Sequence, residues 1–235
     1  MSKFFNYNNT FSTTLSIDDL SLYISGQVNS IFPDSSIAEK KILIPFVSKA
    51  LLKLEFCFTH MSIKGGRYKD LPCYSHLNTD QHAVFLYYLS HEIYSENGPE
   101  HLVEKIYCLN KLLHGIDIFY EIKMPDIFTL VHPVGTVLGR ASYSDYFCAY
   151  QNVSVGSDLE GNRPSFGKGV VMFGGSRVIG NSIVGDNCFI SLGSSVISET
   201  IPSNSLVFGN SPDLIIKKTK RNVLRDIFKL KGIRD

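Results

Sequence analysis

Histidine is the side chain best suited to accept and return a proton near neutral pH, and its distribution in this chain is uneven. All seven histidines lie at or before His132, which is followed by Pro133. His76, Asp80 and His82 stand just before or at the start of a predicted helix. These residues could perform general acid–base chemistry, with His132 as the candidate in the second half of the chain and the earlier histidines in reserve.

The cysteines do not form a metal-binding or disulfide pattern. The five of them are scattered and lack CxxC spacing, which is typical of buried thiols in a reduced compartment. We therefore predict no metal site. Cys148 and Cys188 are expected at small inward positions of the repeat described below.

The composition excludes several classes of protein. Lys+Arg 23 against Asp+Glu 22 gives a net charge of +1, whereas a protein whose whole surface holds nucleic acid is far more basic. The longest apolar runs, Ile42 to Val47 and Ala83 to Leu89, are shorter than the ~20 residues of a membrane span. The polar, Asn-rich first residues do not resemble a secretory signal. We expect a cytoplasmic globular protein without a transmembrane segment or a nucleic-acid partner.

The chain changes character near residue 125. Of the 18 glycines, 12 lie between Gly135 and Gly209, and Met124-Pro125 is a natural hinge because proline disfavours helix in the residue before it. We predict a mainly α-helical domain over 1–124, a repeat domain over 125–216 and a basic C-terminal helix over 217–235.

Apolar spacing predicts two helices in the first domain, over Gln81 to Tyr94 and Glu100 to His114. Gly115 then follows as a C′ residue. Leu43 to Phe58 is open between helix and strand, because Pro45 argues for a break.

The second domain carries a repeat with a period of six residues. Between Val155 and Phe166 the step is 11, so five extra residues are inserted, within 157–164. The predicted inward positions are Val131, Val137, Tyr143, Ala149, Val155, Phe166, Met172, Val178, Val184, Ile190 and Val196.

A period of six suits a short strand and a turn, repeated three times per coil of ~18 residues. Each coil stacks on the last as a three-sided prism, rather than forming a β-sandwich. Gly156, Gly167 and Gly185, each directly after an inward residue, are expected where the backbone turns with positive φ.

From Val131 to Lys218 the sequence resembles the left-handed parallel β-helix of bacterial hexapeptide-repeat acyltransferases, in their serine acetyltransferase branch. The predicted fold class is α+β: an N-terminal α-helical domain, a left-handed parallel β-helix and a C-terminal helix. The motifs that carry the resemblance are His132-Pro133, Gly161-Asn162-Arg163-Pro164, Phe166-Gly167-Lys168-Gly169-Val170, Gly174-Gly175-Ser176 and Gly209-Asn210-Ser211-Pro212.

The resemblance implies acetyl transfer from acetyl-CoA to a small acceptor, in a homotrimer with active sites between subunits. Whether two trimers pair is left open. Residues one coil apart, corrected for the insertion, form a column of Pro133, Gln151, Gly174 and Leu192. With coils ~4.8 Å apart, this column spans roughly 14 Å, which suits an extended pantetheine arm. The alternative is an ordinary solvent-facing turn.

The catalytic residues are less well defined. The Asp-His pair of the serine acetyltransferase pattern falls on Asp145-Tyr146, and a second histidine expected next to Arg163 is absent, because Pro164 follows directly. We expect His132 to act as the base, facing Asp145 of the next subunit, with a structural turn histidine as the alternative. Arg163 is assigned to substrate binding.

Two further groups of residues receive predicted roles. Asp80 and His82 are assigned to the acceptor pocket. Lys217 and Lys218, in the basic tail, are assigned to CoA phosphates, and the tail could instead be a capping helix or be attracted to an anionic glycan or membrane surface.

Because the expected histidines are missing, the sequence favours an O-acetyltransferase for a sugar of a bacterial surface polysaccharide or its precursor. The alternatives are a serine or amino-sugar acetyltransferase, and a non-catalytic β-helix scaffold or regulatory protein.

Overall fold

The computed structural model describes residues 5–6, 10–61, 67–68 and 71–230, and the chain divides into two compact units, Met1–His114 and Gly115–Asp235. The predicted boundary, after residue 124, lies further along the chain. The difference has a physical reason, because Asp117 is hydrogen-bonded as part of the second unit. Its N–H donates to the Thr136 carbonyl, and its carbonyl accepts from the Leu138 N–H, both at 2.9 Å.

The first unit is mainly helical, and the two helices predicted from apolar spacing are confirmed as α3 and α4. The N-cap Asn78 accepts a hydrogen bond from the Gln81 N–H, which fixes the start of α3. The short strands form one sheet in the order β1-β2-β4-β3. The elements are β1 (Phe5–Asn6), β2 (Ser12–Thr13), α1 (Ile17–Ile31), α2 (Lys40–Thr59), β3 (Arg67–Tyr68), β4 (Leu71–Tyr74), α3 (Thr79–Ser95) and α4 (Glu100–His114).

The segment Leu43 to Phe58 is helical, as part of α2, even though Pro45 lies inside that helix. A proline removes one backbone hydrogen bond of a helix. Here the helix also buries an apolar stripe that includes Val47, Leu51 and Leu54, all fully inaccessible to solvent. This burial outweighs the missing hydrogen bond, since each such side chain contributes ~1.5–3 kcal/mol.

The second unit is a parallel β-helix with three faces. The first face has the strand order β17-β16-β13-β10-β7-β5, the second β14-β11-β8-β6 and the third β15-β12-β9. Its strands are β5 (Phe128–Leu130), β6 (Val137–Leu138), β7 (Phe147–Ala149), β8 (Ser154–Gly156), β9 (Ser165–Phe166), β10 (Val170–Met172), β11 (Arg177–Ile179), β12 (Ile183–Val184), β13 (Cys188–Ile190), β14 (Ser195–Ile197), β15 (Thr200–Ile201), β16 (Ser205–Phe208) and β17 (Ile215–Lys218).

Pairing between coils follows the predicted repeat. Met172 pairs with Ile190 and Val178 with Val196, each partner one coil of 18 residues further along. We call the turns between the faces the first corner (131–136, 150–153, 173–176, 191–194), the second corner (139–141, 157–164, 180–182, 198–199) and the third corner (143–146, 167–169, 185–187, 202–204).

The predicted inward register is wrong in the first coil. Val137 is 43% exposed, and Leu138 is fully buried and pairs with the inward Val155. Likewise Leu130, not Val131, pairs with Ala149. The first corner is longer in this coil than in the coils above it, which shifts both positions by one residue.

Two of the three glycines expected at positive φ are required for a different reason. None of Gly156, Gly167 and Gly185 has positive φ. A Cβ on Gly185 would lie 2.6 Å from the Ser203 backbone nitrogen, and one on Gly167 would lie 2.7 Å from the backbone nitrogen of Asp186. Close stacking of neighbouring coils, rather than backbone curvature, excludes a side chain at these two positions.

Cys148 is buried but does not point inward. It pairs with Val171, between the inward positions Ala149 and Phe147, so alternation directs it to the outer side of the first face. Cys188 is at the same register position as Val170 and faces the interior as predicted.

The basic tail is not one helix. Lys217 and Lys218 lie on β17, which pairs antiparallel with β16, and the helix α5 covers only Val223–Asp226. Lys231 and Arg234 lie outside the described residues. Among the described residues, no helix is long and apolar enough to cross a membrane.

Candidate active site

The first corner of the β-helix contains the predicted donor column. The Gly175 N–H donates to the Gln151 carbonyl at 2.9 Å, and the Gly193 N–H donates to the Gly174 carbonyl at 3.1 Å. A Cβ on Gly174 would lie 2.9 Å from Gln151 Nε2 and 3.3 Å from Leu192 Cδ1. The stacking of Gln151, Gly174 and Leu192 in one column is therefore correct.

The base of this column is occupied by Val134 instead of the predicted Pro133. The Val134 carbonyl accepts from the Asn152 N–H at 2.9 Å, the same relation that Gln151 has to Gly175 one coil above. The longer first corner of the first coil accounts for the shift. Val134 and Leu192 are 64% and 75% exposed, so the column is open and apolar at both ends.

Gln151 provides an unused polar atom in the column. Its Oε1 is buried and has no hydrogen-bond partner among the described residues. A buried acceptor without a donor is costly, so a ligand N–H or a water molecule at this position would be stabilised.

His132 lies at the same corner, directly before Pro133. It is exposed and adopts a left-handed backbone conformation, with φ of 50°. Such a conformation is uncommon for a residue other than glycine, and it is found at turns and at functional sites.

Asp145 lies at the third corner, in a different part of the coil. Its Oδ1 accepts a hydrogen bond from the Ile127 N–H at 3.1 Å, so this carboxylate already stabilises the start of the β-helix. His132 follows the first face and Asp145 precedes it. A single chain therefore does not bring these two residues together.

Tyr146 stands where the resemblance expects a histidine, and it anchors the C-terminal tail. Its φ is 66°, and its ring packs edge-on against Phe228 with centroids 5.2 Å apart. The Lys168 ammonium also lies over the Tyr146 ring, 5.3 Å from its centroid. Burial, followed by the nearby Asp145 carboxylate, raises the pKa of Tyr146 above its ordinary value, so its hydroxyl stays protonated.

Arg163 lies at the second corner, in a cleft of about 330 Å³ that Arg140 and Lys123 also line. Arg140 forms an ion pair with Glu121. Sequence reasoning missed Arg140 and Lys123. Ser142 pairs with Ser165, so Arg140 occupies the same position one coil below Arg163, and the coil arithmetic that found the donor column would have found it.

The insertion that carries Arg163 is ordered by Asp158. Its Oδ1 accepts from the Asn162 backbone N–H and its Oδ2 from the Asn162 amide, both at 2.8 Å. These hydrogen bonds hold the pKa of Asp158 below its usual value and fix the loop in front of Arg163.

The assignment of His82 to a substrate pocket is not supported, because this side chain lies in the core of the helical unit. It is 2% exposed, and its Nδ1 is 2.7 Å from the Tyr74 hydroxyl. Burial, followed by the neighbouring His114 and His76, lowers the pKa of His82 to about 3. Asp80 lies in the first turn of α3, where a carboxylate interacts favourably with the helix dipole.

Lys217 and Lys218 are both exposed on β17, opposite Leu206 and Ser205. Because successive residues of a strand point to opposite sides, the two ammonium groups cannot bind one phosphate together. Among the described residues, no group of three or more His, Cys, Asp or Glu side chains is placed to hold a metal ion.

Comparison with known proteins gives sequence matches to serine acetyltransferases. A serine acetyltransferase from Synechococcus elongatus is 30% identical over 131 residues, 54% of this chain and 53% of that protein. One from Staphylococcus epidermidis is 29% identical over 146 residues, 60% of this chain and 67% of that protein. The match thus spans about half the length of the first relative and two thirds of the second. No protein-family model matches the sequence.

Solved structures show the same fold. Serine acetyltransferase from Vibrio cholerae has a TM-score of 0.69 at 18% identity, covering 90% of this chain and 83% of that chain. The Brucella abortus serine acetyltransferase, in complex with coenzyme A, has a TM-score of 0.67 at 17% identity and covers 88% of this chain and 83% of its own.

Proposed function

We propose that this chain is a hexapeptide-repeat acyltransferase of the serine acetyltransferase-like branch, and that it transfers an acetyl group from acetyl-CoA to a small acceptor. The observation that carries this proposal is the 30% identity to a serine acetyltransferase over 131 residues. The shared fold and the open column at the first corner support it.

The donor column is the proposed site for the pantetheine arm. Gly174 lets a ligand approach the backbone closely, since its own side chain is a hydrogen atom. Gln151 Oε1, which lacks a partner among the described residues, would accept a hydrogen bond from a pantetheine amide N–H. Leu192 would contact the apolar parts of the arm.

His132 is the proposed base. Its imidazole would take the proton from the acceptor as the acceptor oxygen attacks the thioester carbonyl, and would return that proton to the CoA thiolate as the C–S bond breaks. Asp145 of a neighbouring subunit in a homotrimer would orient the imidazole and stabilise its charged form. This role requires the trimer, because the two residues lie at different corners of one chain.

The comparisons alter the expected acceptor. A polysaccharide acceptor is not supported, because the similar proteins are serine acetyltransferases. Serine, the alternative, is therefore the acceptor that we propose. Arg163, Arg140 and Lys123 surround one cleft, and a cleft with three cations against the single carboxylate of Glu121 suits an acceptor carboxylate.

A non-catalytic protein is the second candidate, and one observation favours it. Tyr146 replaces the histidine that the resemblance expects, and its ring holds the tail in place instead of facing an open cleft.

A thiol-release assay on the full chain with acetyl-CoA and L-serine tests the proposal. We expect turnover with serine, and a loss of about 10²-fold or more in kcat for His132→Ala, the usual contribution of a general base. His101→Gln on α4 is the matched control and should retain activity. Gly174→Val, which would fill the column, should raise KM for acetyl-CoA.

The alternatives give different results. Serine turnover that His132→Ala leaves unchanged would reject His132 as the base. Turnover with amino sugars or glycans, but not with serine, would reject the acceptor. No thiol release with any acceptor would favour the non-catalytic protein.

A further inference from the structure

The tail after β17 follows the third corner back along the coils. The Thr219 N–H donates to the Asn204 carbonyl at 2.8 Å, and Asn187 Nδ2 donates to the Arg221 carbonyl at 3.0 Å. The Val223 N–H then donates to Asn187 Oδ1 at 2.9 Å. These bonds fix the backbone of residues 219–223 against two successive coils.

A cleft of about 420 Å³ lies along this segment. Three cationic side chains line it, and no carboxylate does so among the described residues. The lining includes Lys220, Arg221 and Arg225 together with Asn187, Asn204 and Asn222.

The charge of the cleft is not neutralised. Arg225 forms an ion pair with Asp226, with Nε 2.8 Å from Oδ1. Lys220 and Arg221 are exposed and form no direct ion pair within the part of the chain that the structure describes, although Arg221 is near enough to Asp226 to interact with it electrostatically. Three cations therefore face the one carboxylate of Asp226. Two positive charges therefore remain at one wall of the cleft.

The uncharged groups of the cleft present donors. Asn204 Oδ1 accepts from Asn187 Nδ2 at 2.9 Å, and Asn222 Oδ1 accepts from the N–H groups of Leu224 and Arg225. Since both amide oxygens are used, the NH₂ groups of Asn204 and Asn222 remain to donate. A site lined by cations and donors favours an anion with several acceptor oxygens.

We propose that this cleft binds the phosphate group of a phosphate ester, with Lys220 and Arg221 as its principal contacts. A phosphate has a high charge density, and its oxygens match guanidinium and ammonium donors. The cleft is larger than an inorganic anion, so the organic part of the ester would also be accommodated. The inference does not depend on acetyl transfer.

Isothermal titration of the full chain with inorganic pyrophosphate tests the site directly. We expect saturable binding, and a dissociation constant about tenfold higher or more in the double variant Lys220→Gln/Arg221→Gln. The matched control, Lys53→Gln/Arg177→Gln, removes the same charge from exposed positions that do not line the cleft, and it should bind as the wild type does. An equal loss in both variants, or none in the first, would overturn the proposal.

Competition then separates the sources of phosphate. CoA that displaces pyrophosphate better than dephospho-CoA, with this preference lost in Lys220→Gln/Arg221→Gln, would identify the CoA 3′-phosphate. Displacement by UDP-N-acetylglucosamine instead would identify a nucleotide-linked ligand. Displacement by neither would leave an inorganic anion site and reject a phosphate ester. Both experiments measure binding, so a chain without acetyltransferase activity could still show the phosphate site.

Discussion

The two units of the chain bury different kinds of side chain. The helical unit encloses large aromatic residues and two histidines, His82 and His114, among its fully or nearly buried groups. The β-helix encloses a regular stack of aliphatic side chains together with a few aromatic rings, such as Phe147 and Phe166, and its candidate functional groups lie at the corners. Periodic stacking leaves no interior position for a charged group, so function in this unit is confined to the turns.

The largest effect on stability should come from the stacked interior. Ile190→Ala removes a fully buried side chain between Met172 and Val207, and it should lower the free energy of unfolding by about 2–5 kcal/mol. Ile183→Ala, at an exposed position of the neighbouring face, should change it by less than ~0.5 kcal/mol. Chemical denaturation of both variants measures the difference, and equal effects would mean that the interior is not close-packed.

Coil stacking is tested by a glycine of the third corner. Gly185→Ala would place a methyl group 2.6 Å from the Ser203 backbone nitrogen, and backbone cannot move aside cheaply. We expect a loss of about 1–3 kcal/mol, typical of overpacking. Gly156→Ala is the control, because its new methyl would meet only Ile179 Cδ1, at 3.6 Å. A thermal-melting series in which Gly156→Ala is the more damaging change would contradict this account.

The buried histidines should make the helical unit sensitive to acid. Burial lowers the pKa of His114 to about 4, and that of His82 is about 3, whereas both titrate near 6.5 in an unfolded chain. As the pH falls below 6.5, the unfolded chain takes up protons first. The stability that the neutral histidines allow is therefore fully present above pH 6.5 and is lost progressively towards pH 3. At pH 5 the free energy of unfolding should be lower by roughly 2 kcal/mol per histidine.

His114→Leu tests this pH dependence. It removes one titrating group, and both His114 nitrogens lack hydrogen-bond partners among the described residues. Unfolding free energy measured between pH 7 and pH 5 should then fall less steeply than in the wild type. His101→Gln on the same helix should keep the wild-type slope. An unchanged slope in His114→Leu would assign the acid sensitivity to other groups.

The smallest effect should be a gain in the helical unit. Gly26 lies inside α1, is exposed, and has nothing within 4 Å of a Cβ. Gly26→Ala should raise the free energy of unfolding by about 0.5–1 kcal/mol, because alanine loses less conformational freedom in a helix. Loss of stability in this variant would contradict this expectation.

The sequence predicted the regular parts of both units well. Apolar spacing identified α3 and α4, and the six-residue period placed Met172, Ile190 and Val196 in the interior. The same arithmetic failed in the first coil, at Val131 and Val137, because a longer corner shifts the register there. The sequence analysis also expected Gly185 to have positive φ. Glycine is required there because the backbone of the next coil lies too close for a Cβ, and this distance depends on how the turns stack.

The six-residue period was enough to predict that the second half of the chain stacks as coils. An apolar residue at every sixth position is buried only when each coil stacks on the one before it. The six-residue period therefore implies a stack of coils. The contacts at the corners became known from the folded chain alone. It separates His132 from Asp145, joins Arg163 to Arg140, and brings Lys220 and Arg221 against Asn187 and Asn204. These contacts join residues from different coils and from the returning tail, and their positions depend on corner length and on the path of the chain, which spacing does not encode.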